Sequence, residues 1–307
     1  MVFLFTLRTN AKTYTTYTYS FQQIVLLVGF APSSYGTVES CEIIQHLNLL
    51  THTGLIVKLY RLLSFFSIST LCSLVIAETV LIPFEKDDVP TAYWASAEAK
   101  ATLIFLPGGD GSFGFANKPN AQPGWILSLI NKAEPKESLN LVFMDSRTSL
   151  GYRGDLGPRT TSQHIERIKA VIDYYQQKTQ LPMYLIGHSN GAVSLASFLN
   201  KSPENQLRLG GAIFSGSRNE TRVNAKLNLP LLVLHHKDDP NGWTTPKNAE
   251  RLFQEIKVTN ALSTEQVWME GGFDEGDVHT SGRHMYAGVL DKAAAVVKEF
   301  IIKNLKQ

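Results

Sequence analysis

The chain has 307 residues, 44% of them hydrophobic and 18% charged, with a formal net charge of +2. That length suits one large domain or two ordinary ones, and the composition is that of a globular protein, neither fibrous nor disordered. No block of one sign points to nucleic acid or an anionic membrane surface, and both cysteines, Cys41 and Cys72, lie in the first quarter, which excludes a cysteine nucleophile or disulfide framework beyond them.

Residues 1–57 show no clear periodicity: "TYTTYTYS" and "FQQIVLLVGFAPSSYG" build no obvious domain. Next comes a different pattern. Lys58 and Arg61 precede sixteen uncharged, largely apolar residues, Leu62 to Ala77, closing on Val75-Ile76-Ala77. A basic start, a short apolar centre and a small-residue exit describe a secretory signal over 58–77. The run is shorter than the roughly twenty residues a membrane anchor usually needs, and four serines interrupt it. A retained anchor is the alternative, and membrane contact is expected only through this segment. A signal belongs at the N-terminus, yet no methionine lies between Met1 and Met144. Residues 1–57 are therefore expected to be an over-extended reading frame, and residues 78–307 an exported domain, periplasmic or secreted. Removing the four basic and two acidic residues of 1–77 leaves 25 of each sign in that domain.

From residue 78 strand-like and helix-like segments alternate. "ATLIFLP" (101–107) reads as a buried strand, "WILSLINKA" (125–133) as a helix and "SLNLVFMDS" (138–146) as a strand. In 161–178, Ile165, Ile168, Val171, Ile172 and Tyr175 recur at helical intervals. "MYLIG" is a strand, "AVSLASFLN" (192–200) a helix, and "GAIFSGS" (211–217) and "LPLLVLHH" (229–236) are strands. "PKNAERLFQEI" (246–256) is helical, "EQVWMEGG" (265–272) strand-like, and "YAGVLDKAAAVVKEFIIKNL" (286–305) a closing helix. Apolar strands without polar alternation, spaced by helices, predict an α/β fold: a mostly parallel sheet with helices on both faces.

One turn stands out. "MYLIGHSNGAV" sets Ser189 between Gly187 and Gly191, where a strand passes into a helix. In such sheets the working groups lie beyond the carboxyl ends of the strands. A very tight turn would project the hydroxyl into open space, and the flanking glycines would remove side chains that collide there. The segment Gly187-His188-Ser189-Asn190-Gly191 resembles the nucleophile elbow of the α/β-hydrolase superfamily, Gly-x-Ser-x-Gly, and the resemblance points to its serine esterase, dienelactone-hydrolase-like branch. A helix-capping turn is the bland alternative.

The resemblance implies a chain order of serine, then acid, then histidine. After "LPLLVLHH" comes "KDDP", where Asp239 is favoured over Asp238 because it immediately precedes a proline. His284 lies just before the closing helix and is favoured over His279. The oxyanion donors are expected to be the amides of Asn190, after the serine, and Gly109, in "PGGDGSFG". His188 is expected to shape the pocket wall, and Asp110 to sit at its mouth. Metal binding by His235, His236, Asp238 and Asp239 is disfavoured, since neighbours on a strand point to opposite sides. Arg147, Tyr152, Arg153 and Asp155 are candidates for substrate contacts, with loop salt bridges the plainer reading.

The expectation is an exported serine hydrolase that cleaves small to medium carboxylic esters through Ser189, His284 and Asp239. The short segment Arg218–Leu229 between two strands leaves little room for a large lid. The partner is a small-molecule acyl substrate, with no cofactor, metal or nucleic acid. The rivals are a peptidase or acyltransferase on the same fold, and a binding protein with a decayed site.

Overall fold

The computed structural model describes residues 3–8, 14–19, 78–117 and 139–305. The segment 58–77 and the helix expected at 125–133 lie outside these. The chain divides into two units, Met1–Cys72 and Ser73–Gln307. In the first, β1 (Phe3–Arg8) pairs antiparallel with β2 (Tyr14–Tyr19), Phe3 opposite Tyr19 and Arg8 opposite Tyr14. A search for alternation missed β2 because every residue of "YTTYTY" is Tyr or Thr. Such a run shows little contrast in hydropathy, yet each residue favours a strand.

Among the described residues the second unit is built on one sheet of eight strands. They are β3 (Glu78–Phe84), β4 (Asp87–Trp94), β5 (Thr102–Leu106), β6 (Asn140–Met144), β7 (Met183–His188), β8 (Gly211–Ser215), β9 (Leu231–His236) and β10 (Thr264–Met269). Their spatial order is β10-β9-β8-β7-β5-β6-β4-β3. β5 to β10 run parallel, while β4 joins β6 antiparallel and β3 joins β4 antiparallel. The expected mostly parallel sheet is present, with an antiparallel edge that the sequence reading did not assign. Pro90 hides that edge, because proline argues against a strand interior. Here the β6 ladder begins at Thr91 opposite Met144, and the Pro90 carbonyl still accepts from the Asp145 amide at 2.9 Å.

The parallel strands β5 to β9 are mostly apolar at both parities because both faces are covered, whereas the edge strand β10 is only partly buried. Ile104 and Leu106 of β5 and Leu185 of β7 point into one core, with α1 (Ser162–Thr179), α2 (Gly191–Lys201) and α4 (Pro246–Thr259) packed over it. Leu103 and Phe105 of β5 and Ile186 of β7 point into the other, beneath α5 (Leu290–Lys303). Between α2 and β8 lies a single short turn, α3 (Pro203–Gln206). The helical face predicted for α1 is the one that is buried, from Ile165 to Tyr175. α5 starts later than expected: Tyr286 and Gly288 have φ of 58° and 78°, left-handed conformations that do not continue a helix. The carboxyl ends of β5, β6, β7, β9 and β10 lead into the loops that carry Gly109, Asp145, Ser189, Asp239 and His284.

Candidate active site

Ser189 follows the last residue of β7 with φ of 54°, in the left-handed region that non-glycine residues seldom enter. Its flanking glycines have direct steric reasons. A Cβ on Gly187 would come within 2.5 Å of the Gly191 carbonyl oxygen, and one on Gly191 within 2.0 Å of the Leu106 oxygen. The turn is tied to β8 by the Ser189 amide, which donates to the Ser215 carbonyl at 3.0 Å. Ser189 is half-buried, at the start of α2, where unpaired amides favour negative charge.

Two strands away, the loop after β9 holds Asp239 buried. Its Oδ1 accepts from the Asn241 amide at 2.9 Å, and its Oδ2 accepts from Thr244 Oγ1 and His284 Nδ1, each at 2.9 Å. Burial pushes the Asp239 carboxyl up, but the hydrogen bond from His284, the nearness of His284 and His235, and the Asn241 amide together hold it below its ordinary value. Asp238 is exposed and its amide donates to His236 Nδ1 at 3.1 Å, so Asp239 is the acid that meets the histidine.

His284 lies in the 3-10 turn Gly282–Met285 and is 1% exposed. With Nδ1 donating to Asp239, the neutral ring keeps its lone pair on Nε2. That Nε2 is buried and has no hydrogen-bond partner among the described residues. The Cε1 edge of the ring faces Gly216, where an added Cβ would stand 3.4 Å away, next to the Ser215 that holds the Ser189 amide. His279 sits one step further out, its Nδ1 2.9 Å from Asn241 Oδ1.

The loop after β5 closes the other side. Gly109 has φ of 58°, and a Cβ on neighbouring Gly108 would stand 2.9 Å from the Ser189 Cβ. The Asn190 side chain donates from Nδ2 to the Gly109 carbonyl at 2.6 Å. The main-chain amides of Gly109 and Asn190 donate to no acceptor among the described residues. Asp110 is exposed and receives the Ser112 amide at 3.0 Å.

Three buried groups around this loop escaped the sequence reading. Asp145 accepts the amides of Phe113 at 2.5 Å and of Phe115 and Ser146 at 2.8 Å, pinning the outer part of the loop. Arg159, fully buried, donates to the carbonyls of Pro107 and Gly109, each at 3.0 Å. Burial lowers its pKa to about 10, so it remains a cation at neutral pH. His164 meets Ser194 Oγ at 2.9 Å, and burial, with the nearby charges of Arg159 and Arg167, lowers it to about 3. Only Asp145 carried a usable signal, a carboxylate directly behind an apolar strand.

The other candidates serve the frame. His188 and Tyr286 share Ser215 Oγ, at 3.1 and 2.8 Å, and burial together with His284 and His235 holds His188 well below the usual histidine range. His235 and His236 meet the carbonyls of Thr244 and Gly271 through Nε2, at 2.9 and 2.8 Å. Among the described residues no three His, Cys, Asp or Glu side chains gather as a metal site. Arg147 pairs with Asp88 at 3.0 Å, and Asp155 receives the Gly157 amide at 3.1 Å, both loop contacts. Arg153 lies 5.6 Å from the centre of the Tyr152 ring.

Solved structures share this architecture. An esterase from Pyrococcus furiosus superposes with a TM-score of 0.51 at 12% identity, covering 74% of this chain and 92% of the other. The chain has the α/β-hydrolase fold. A dienelactone hydrolase from Anabaena variabilis gives 0.51 at 14% identity over 74% and 97% of the two chains. An acylaminoacyl peptidase from Pyrococcus horikoshii gives 0.51 at 13%, over 75% of this chain and 42% of that one. No family model matches the chain, and no curated protein matches it in sequence.

Proposed function

We propose that residues 78–307 form an exported serine hydrolase acting on small to medium carboxylic esters. Ser189 Oγ attacks the acyl carbonyl while His284 Nε2 takes the hydroxyl proton. The amides of Gly109 and Asn190 receive the developing oxyanion. The tetrahedral adduct collapses, the carbon–oxygen bond to the alcohol breaks, and the imidazolium returns the proton to the leaving alkoxide. Water then adds by the same route, releases the acid and restores Ser189. Asp239 fixes the ring and stabilises its charged form.

The reading is carried by one observation: a buried histidine whose Nδ1 is taken by a carboxylate and whose Nε2 is unclaimed, at the rim where a strained turn presents a serine. The missing serine–histidine hydrogen bond does not count against it, since such contacts are often long until substrate binds. The fold also carries a peptidase among its neighbours, so amide cleavage or acyl transfer is the second reading.

Turnover of p-nitrophenyl esters of increasing chain length, compared with peptide anilides and with added acyl acceptors, separates these. We expect the highest kcat/KM on short to medium esters. Preference for anilides would make the chain a peptidase, and no turnover of any of them by the folded protein would favour a binding protein. Export through 58–77 is part of the same proposal. Intact-mass analysis of the native product should give an N-terminus near residue 78, and a product that retains residues 1–50 would end that part.

A further inference from the structure

We infer that Arg159 is a positioning residue for the oxyanion loop: its guanidinium sets the peptide planes on both sides of Gly109 and thereby aims the Gly109 amide. The inference rests on the hydrolase reading above. Arg159 is 0% exposed, and among the described residues no carboxylate lies within ion-pair distance of it. A buried cation without an ion pair is costly, so besides the more distant Asp110 charge its environment must compensate through oriented dipoles. Those dipoles come from one short turn and one hydroxyl. Nη1 donates to the Pro107 carbonyl at 3.0 Å and to Ser194 Oγ at 3.1 Å. Nη2 donates to the Gly109 carbonyl at 3.0 Å and reaches the Gly108 carbonyl at 3.4 Å. The charge and the conformation of residues 107–109 are therefore coupled, because moving the turn would strand the cation.

The consequence for the amide follows from covalent geometry. In a trans peptide the C=O and the following N–H point to opposite sides. The Gly108 carbonyl is held on the Arg159 side, where it also accepts the Gly111 amide at 3.1 Å. The Gly109 N–H of that same peptide must face away from Arg159, and no described acceptor takes it. A cation on the carbonyl also polarises the peptide and makes its N–H a stronger donor. The next carbonyl, that of Gly109, is held twice, by Arg159 and by Asn190 Nδ2 at 2.6 Å.

The cation is itself anchored. Arginine only donates, so Ser194 Oγ accepts from it, and the same oxygen is hydrogen-bonded to His164 Nε2, 2.9 Å away. Ser194 stands on α2 and His164 on α1, so the chain ties the turn to two helices.

The test compares wild type, Arg159→Lys and Ser194→Ala. For each, a fluorophosphonate titrates the reactive serine, kcat and KM on a short ester are measured per titrated site, and a trifluoromethyl ketone probes oxyanion binding. For Arg159→Lys we expect kcat to fall about 100-fold, of the order seen when one oxyanion donor is lost. KM should stay within about threefold, and the ketone should bind weaker by a factor close to the loss in kcat/KM. Should Arg159→Lys fail to fold, Ser194→Ala carries the test, with an expected loss in kcat of roughly three- to tenfold at constant KM. A lower melting temperature with unchanged kcat per titrated site in the folded variants would make Arg159 purely structural and overturn the inference. A wild type that never reacts with the fluorophosphonate would overturn the hydrolase reading and this inference together. A reactive wild type beside an indifferent Arg159→Lys overturns this inference alone.

Discussion

On the two sides of Ser189, buried charge is handled in opposite ways. On the histidine side Asp239 meets a ring that can itself become charged, and a hydroxyl and an amide fill its other lone pairs. On the amide side Arg159 forms no ion pair among the described residues: it hydrogen-bonds only to carbonyls and one hydroxyl, and the Asp110 charge acts from further away. The first arrangement suits a proton that must come and go, because a fixed carboxylate stabilises a transient imidazolium. The second suits a group that must not change, because a guanidinium keeps its proton throughout the working range. In the proposed mechanism one side of the site moves charge, and the other holds dipoles still.

The largest effects should come from breaking the side that moves charge. Ser189→Ala or His284→Ala should each lower kcat by about 10⁴-fold or more, with the circular dichroism spectrum unchanged. Asp239→Asn should follow at roughly 10³- to 10⁴-fold, since the amide preserves shape but can favour the wrong imidazole tautomer. Steady-state kinetics on a short ester measure both. Wild-type-like turnover in any of these would move the site elsewhere.

A smaller effect, on stability, sharpens the comparison from the amide side. His164 is held at about 3, below its ordinary 6.5, because burial disfavours its charged form. Below pH 6.5 the unfolded chain therefore takes a proton that the folded chain refuses. That contribution to stability is complete above pH 6.5 and is lost progressively as pH falls toward 3. His235, lowered to about 4 mainly by burial, adds to the same trend. Melting temperatures measured from pH 7 down to 4 should fall, and His164→Asn should flatten the decline. An equal slope in the variant would contradict the neutral, buried assignment.

The smallest expected effect is that of Asp238→Asn. The residue is exposed, so kcat should stay within about twofold and stability within roughly 0.5 kcal/mol. A loss comparable to that of Asp239→Asn would reverse the choice between the two acids.

The two sides also differ in how much of each could be read from the amino-acid order. Strands β5 to β9 were legible because burial on both faces leaves apolar residues at both parities. The antiparallel edge was not, since Pro90 and the charged run Glu85-Lys86-Asp87-Asp88, a turn and the start of β4, break up the pattern. On the histidine side, Ser189, Asp239 and His284 could be selected because the α/β-hydrolase resemblance implies their residue types and order, at the ends of elements that the periodicity locates. Arg159 offers no such handle. It stands in "GPRT", a stretch that reads as an exposed turn, and only the closing of α1 and α2 over the loop buries it. Local pattern marks a residue at a strand end, whereas burial of a charge depends on contacts made far along the chain.

The central claim is that Ser189 is the hydroxyl activated by the Asp239–His284 pair, and covalent labelling reads it most directly. A fluorophosphonate followed by peptide mapping should place one adduct per chain on Ser189. It should place none in Ser189→Ala, and it should react about 10³-fold more slowly in His284→Ala. Labelling at another residue, no labelling of the folded protein, or an unchanged rate without the histidine would contradict the account.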